Sequence, residues 1–138
     1  MPYLRTALFF IDMVEVTLEN TLIGHQNPIY TLAVDEQNGL LYSAGNDKGI
    51  VEWDLNTLKF KRVLCTVPSS VYNLCYIAEK DLLVATLRTG GILVIRKSEP
   101  ELVAKLAVEK GAAFVVKAIL SKNELLAIDE YGKAYVWN

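Results

Sequence analysis

Displaced by 42 residues, the chain matches itself without a gap: Tyr30 falls on Tyr72, Leu32 on Leu74, Leu40 and Leu41 on Leu82 and Leu83, Gly49 on Gly91, and Ile50 on Ile92. A third copy follows, in which Leu82 and Leu83 recur as Leu125 and Leu126, Gly90 as Gly132 and Ile95 as Trp137, with one residue lost in the turn between them. Self-similarity at such a period constrains the fold more than any other feature, because each unit is a supersecondary element that buries its apolar faces only by stacking on its neighbours.

Inside each unit the apolar residues come in bursts of five or six, rich in Val, Ile, Leu, Tyr and Trp, separated by turn clusters such as DEQNG, AGNDKG, RTGG and SKNE. That is strand-and-turn punctuation, and no window carries a helical period. Each unit reads as an inner strand a (29–34, 71–76, 115–120), a strand b (40–44, 82–86, 125–128) and a strand c (49–54, 91–96, 133–137). An outer strand d at 60–65 and 101–108 mixes in Lys61, Arg62, Glu101 and Lys105, charges that discourage edge pairing. Four short strands at this period make a propeller blade. The predicted fold class is therefore all-β: about three four-stranded antiparallel blades at 25–65, 66–108 and 109–138, too few to close a ring in one chain. Residues 16–23 read as a lone outer strand that could complete the third blade. Residues 1–13 have no place in the repeat, and an extra strand, a disordered tail or a start at Met13 all remain open. Two sources could supply the absent blades: a longer chain, which the abrupt end at AYVWN favours, or a homodimer completing a six-bladed ring.

The first unit adds a motif. Gly24-His25 precedes strand a, Ser43 lies in strand b, Asp47 in the b–c turn, and Trp53-Asp54 closes strand c. With this spacing the chain resembles the WD-repeat family of β-propellers from about Glu19 to Asn138. The resemblance implies that His25, Ser43, Asp47 and Trp53 form a buried hydrogen-bond network clamping the d–a loop onto the b–c hairpin. The second unit has Val67, Ala85, Thr89 and Ile95 at those positions, so the polar network is expected to be absent there. The third keeps only Trp137, followed by Asn138 where the family prefers Asp. A hydrolase triad of Ser43, His25 and Asp47 is disfavoured, since Ser43 is mid-strand and lacks a G-x-S-x-G turn.

In this family the rim formed by the d–a and b–c loops binds protein or peptide partners. The matching positions are Pro28, Tyr30 and Asn46 in the first unit and Ser70, Tyr72 and Arg88 in the second, with Glu130 carried over weakly in the third. Tyr and Arg are frequent interface hot spots, although Tyr30 and Tyr72 could equally begin strand a and pack inward. Residues 1–56 hold two basic and eight acidic side chains, and 57–99 hold seven basic and three acidic. Opposite charges pairing between blades, with Asp54 against Arg96 as the sharpest instance, is the simpler reading of that asymmetry, and a bipolar docking surface the other.

A formal net charge of −2 offers no field for nucleic acid or anionic lipid, and the apolar runs fall far short of the roughly 20 residues that span a bilayer. No cofactor and no metal site is expected: there is one histidine, no phosphate-binding loop, and two cysteines without metal-ligand spacing. Cys65 and Cys75 suggest a reducing, cytoplasmic setting. The expected function is a non-catalytic scaffold that binds a protein partner on its rim. The alternative is a fragment of a propeller enzyme whose catalytic or cofactor groups lie in missing blades.

Overall fold

In the computed structural model, which describes residues 14–138, the chain forms eleven strands in three antiparallel sheets. The first sheet is β1 (Ile29–Asp35), β2 (Leu40–Gly45), β3 (Gly49–Asp54) and β4 (Lys59–Thr66). β5 (Val71–Ile77), β6 (Leu82–Leu87), β7 (Ile92–Arg96) and β8 (Glu101–Leu106) make the second. The third has β9 (Ala113–Ile119), β10 (Glu124–Asp129) and β11 (Ala134–Trp137), and among the described residues no fourth strand lies outside β11. Each sheet is a meander in chain order, as short turns require of antiparallel neighbours. The three blades form no closed ring.

Two apolar cores hold the blades together. One joins the first sheet to the second through Tyr42, Ile50, Leu64, Val71, Leu83 and Leu93. The other uses the opposite face of the second sheet, where Ile77, Val84, Ile92 and Val94 meet Ala113, Val116 and Ala127 of the third. Both faces of the middle sheet are buried, which is why β6 and β7 read as continuous apolar runs instead of alternating ones.

The register corrects one expectation. Leu40 pairs with Asp35, Leu82 with Ile77 and Glu124 with Ile119, so the structural equivalent of Leu82 is Glu124 and no residue is lost in the third unit. Matching the leucine pairs slips the third strand b by one. The residues that set the register are the left-handed ones ahead of strand b: Gly39 (φ 64°), Asp81 (φ 55°) and Asn123 (φ 56°). Gly, Asp and Asn are the types that tolerate this conformation, and they recur at a constant 42-residue interval.

Residues 16–23 form no strand and take no place in the third sheet; Val14 alone makes an isolated bridge. The first and third blades pack on opposite faces of the second, and this segment, which leads into the first blade, pairs with no described strand of the third. The 1–13 extension, Met13 included, lies outside the described residues.

Candidate partner-binding rim

The d–a and b–c loops meet at one end of every blade through a backbone bond that recurs in register. Asn46 N donates to Pro28 O, Arg88 N to Ser70 O and Glu130 N to Ala112 O, each at 2.9 Å. The side-chain chemistry around this constant bond differs from blade to blade.

In the first blade the Trp53 indole donates to Ser43 Oγ at 2.8 Å, and Ser43 Oγ lies 2.6 Å from His25 Nε2. His25 Nδ1 is 2.9 Å from Asp47 Oδ2. Asp47 only accepts, so Nδ1 carries the proton and Nε2 is free to accept from Ser43, leaving every polar atom satisfied. Hydrogen bonds from Asn27 and His25 hold the Asp47 carboxyl below its ordinary value. Gly24 abuts the edge of the Trp53 ring, where a Cβ would come within 2.7 Å of Cη2. Ser43 is 1% exposed and Trp53 3%, so this serine cannot reach a substrate.

The second blade keeps a remnant of this clamp where apolar replacement was expected. Ser69 and Thr89, one repeat beyond Asn27 and Asp47, hydrogen-bond to each other at 3.1 Å. Val67, Ala85 and Ile95 are buried in the joint with the first blade.

The third blade has its own clamp. Tyr135 Oη donates to Asp129 Oδ2 at 2.8 Å and accepts from Glu109 N at 2.8 Å, while Lys133 pairs with the Glu109 carboxylate. Backbone donation from Lys133, the Tyr135 hydroxyl and Tyr131 N keep Asp129 ionised below the usual carboxylate range. Nothing in the first unit's spacing points to Asp129 and Tyr135. The signal was Glu109 standing at the His25 position, one repeat beyond Val67.

Along the inner mouth, the second residue of each strand a is aromatic. Tyr30 and Tyr72 have ring centroids 6.0 Å apart, and Tyr72 meets Phe114 edge-on at 5.3 Å. Tyr30 is 50% and Phe114 45% exposed, with Tyr72 half-buried between them. Phe114 is absent from the positions expected from sequence, although two steps of the repeat from Tyr30 lead to it. Pro28, Asn46, Arg88 and Glu130 are exposed on the same rim. Ser70 is not: it is 7% exposed, and its hydroxyl donates to Asn46 Oδ1 at 3.0 Å, linking the first two blades.

No family model matches the chain. Over 95 residues, 67% of its length, it is 32% identical to WD repeat-containing protein 43 of Homo sapiens, and it spans 14% of that protein. The chain belongs to the WD-repeat β-propeller family. Two solved structures share the arrangement of these WD-repeat blades. U3-55K superposes with a TM-score of 0.76 at 19% identity, over 84% of this chain and 37% of that one. The WD40 repeats of RRP9 superpose with a TM-score of 0.75, at the same identity and coverage.

The charge asymmetry finds a different pair from the one expected. Arg96 lies 3.5 Å from Glu101 within its own blade, and Asp54 accepts from Asn56 N and Thr57 N in the following turn. Among the described residues, the ion pair that crosses a joint is Lys97 with Asp35, at 3.4 Å.

Proposed function

We propose that this WD-repeat segment is a non-catalytic scaffold whose rim binds a protein or peptide partner. The observation that carries the reading is the strip of Tyr30, Tyr72 and Phe114, three aromatic rings in contact and partly open to solvent at the mouth. Aromatic side chains supply large contact area at low entropy cost, and the exposed Arg88 beside them adds a charge-assisted donor for a carboxylate or backbone carbonyl. Asn46 and Pro28 extend the surface on the first blade.

Two features argue against nucleophilic chemistry in these blades. Ser43 is enclosed and hydrogen-bonded on both sides, and burial pushes the Cys65 and Cys75 thiols up, away from the reactive thiolate. Two free cysteines fit a reducing, cytoplasmic setting.

A displayed random-peptide library panned against the chain tests the rim. Selected peptides should bind at least about tenfold more weakly to a Tyr30→Ala/Tyr72→Ala variant, and again to Arg88→Ala, because hot-spot truncation costs about 2 kcal/mol or more. Equal binding to the native chain and both variants would place the partner surface elsewhere.

A further inference from the structure

The joint between the second and third blades repeats the backbone of the joint before it but not its filling. Between the first and second blades, the rings of Tyr42 on β2 and Tyr76 on β5 meet with centroids 5.9 Å apart and occupy the space between the sheets. One repeat later those two positions are Val84 and Ala118, and Asp35, which lies beside the rings, is replaced by Ile77. Interiors are close-packed, so side chains this much smaller leave a void unless a neighbour moves in.

No neighbour does. A cavity of about 490 Å³ lies there, floored by Val84 and Val94 and walled by Ile77, Ala118, Leu125 and Trp137. The Trp137 indole, large enough to cross the space, instead stacks on Tyr135 of its own strand at 5.7 Å and 10° and stays at the wall. The inner strands set this volume, not the outer ones. At the first joint, where both outer strands are present, the same space is closed by the two tyrosines, and the outer strands border a separate groove of about 300 Å³ beside Cys65, Pro68 and Leu102.

The cavity opens at the a–b turns, the end of the blades opposite the rim, where the exposed Lys80 and Asn123 and the half-buried Glu124 stand at its mouth. Apolar walls with a few polar groups at one end are the usual make-up of a small-molecule site, and the volume lies within the roughly 300–1,000 Å³ such sites have. Benzene already enters an apolar cavity of about 150 Å³.

We infer that this cavity binds a small aromatic molecule, one ring system the size of a phenol or an indole, seated where the preceding joint holds its own tyrosines. Two observations favour an aromatic over a saturated occupant. The first joint shows that this backbone spacing accepts phenol rings between the sheets, and Trp137 offers a ring on the wall, whose edge or face gains contact energy beyond the area buried. A hydroxyl on the ligand's outer end meets Lys80 and Asn123 as donors and Glu124 as acceptor.

The inference is independent of what the rim binds, since the two sites lie at opposite ends of the blades. p-Cresol, the tyrosine side chain as a free molecule, is the probe, titrated into the 138-residue chain and followed by the two tryptophan indole N–H signals in NMR. The Trp137 signal should move saturably while that of Trp53, bonded to Ser43, stays in place. Ala118→Tyr, which restores a first-joint ring, should weaken binding at least about tenfold. Ala118→Leu fills less of the space and should weaken it by a smaller factor, with the unmoved Trp53 signal reporting that either variant is folded. trans-4-Methylcyclohexanol, of similar size without an aromatic ring, should bind about threefold more weakly than p-cresol. No saturable movement, equal movement of both indoles, or equal affinity in the native chain and the folded filled variants would each overturn the site. Equal affinity for the saturated ring would overturn the aromatic class.

Discussion

The joint between the first and second blades and the joint between the second and third use the same backbone positions with opposite chemistry. On the first sheet, Tyr42, Glu52 and Arg62 form a cross-strand row facing the second blade. One repeat later that row is Val84, Val94 and Ala104, facing the third. Tyr42 donates to Glu52 Oε2 at 2.8 Å and Arg62 Nε to Oε1 at 2.7 Å, although Glu52 is 1% exposed. Asp35 stands where the second blade has Ile77. It receives Lys97, whose ammonium lies within 6 Å of the Tyr42 and Tyr76 rings at 5.9 and 5.7 Å. The apolar joint shows that the blade stack does not need buried charge. What the polar joint adds is a set of partners only one neighbour can satisfy, since a charge buried without its counterion is costly.

The largest effect should follow from removing the residue that ties the polar joint together. Tyr42→Ala opens a cavity, strands Glu52 and loses the contact with Tyr76, for an expected loss of about 3–5 kcal/mol by urea denaturation. Val84→Ala, its counterpart at the apolar joint, removes only two methyl groups and should cost about 1–2 kcal/mol. Equal losses would show that the polar atoms at the first joint contribute nothing beyond their volume.

The two clamps sharpen the contrast between the end blades. His25→Ala should destabilise the first blade by about 1–3 kcal/mol by leaving Ser43 and Asp47 without their partner. Tyr135→Phe, which breaks the more exposed clamp of the third blade, should shift the melting temperature less. An unchanged melting temperature in the histidine variant would mean the four-residue chain is not a stabilising unit.

Acid should separate the joints next. Burial alone would raise Glu52, but hydrogen bonds from Arg62 and Tyr42 outweigh it and hold the carboxyl below its ordinary value; Asn38 and Lys97 do the same for Asp35. Groups held low in the folded state contribute stability that is fully present above the unfolded carboxylate value of about 4 and lost as the pH falls through the lowered one. Burial and the Asp35 carboxylate push the Tyr76 hydroxyl up to about 12, and burial raises that of Tyr42 further, so neither tyrosine titrates in that range. Hydrogen exchange from pH 6 to 3 should therefore show β2 and β3 losing protection before β9 and the start of β10, which lie away from the lowered Asp129. Simultaneous loss would mean the joints share one acid-sensitive element.

The smallest effect is the most informative. Replacing the whole row with apolar residues, Tyr42→Phe, Glu52→Val and Arg62→Ala together, should leave stability within about 1 kcal/mol of the native chain or raise it. Arg62→Ala alone should cost more, because Glu52 then keeps its charge without its main counterion. A triple variant less stable than the single one would make the buried network a net contributor.

The strands and the repeat were legible in the sequence because they rest on local patterns: β-branched and aromatic bursts, turn residues, and one spacing. The clamp of the first blade was legible for the same reason, as four polar residues at set intervals within one unit. Phe114 and the correct third register were there to be read from the left-handed turn residues, but leucine pairs gave a stronger and misleading match. Ser69–Thr89 and Lys97–Asp35 were not legible, and Asp129–Tyr135 was signalled only by Glu109 at the His25 position.

Sequence alone determined that this chain makes WD-type blades at a constant interval, since backbone pairing and burial of both sheet faces follow from residue type and period. Only the tertiary structure decided which polar residues meet. A joint brings together side chains one or more repeats apart, and whether Lys97 reaches Asp35 or Arg96 reaches Asp54 depends on the register and twist of two sheets. It also decided that residues 17–24 pair with none of the described strands.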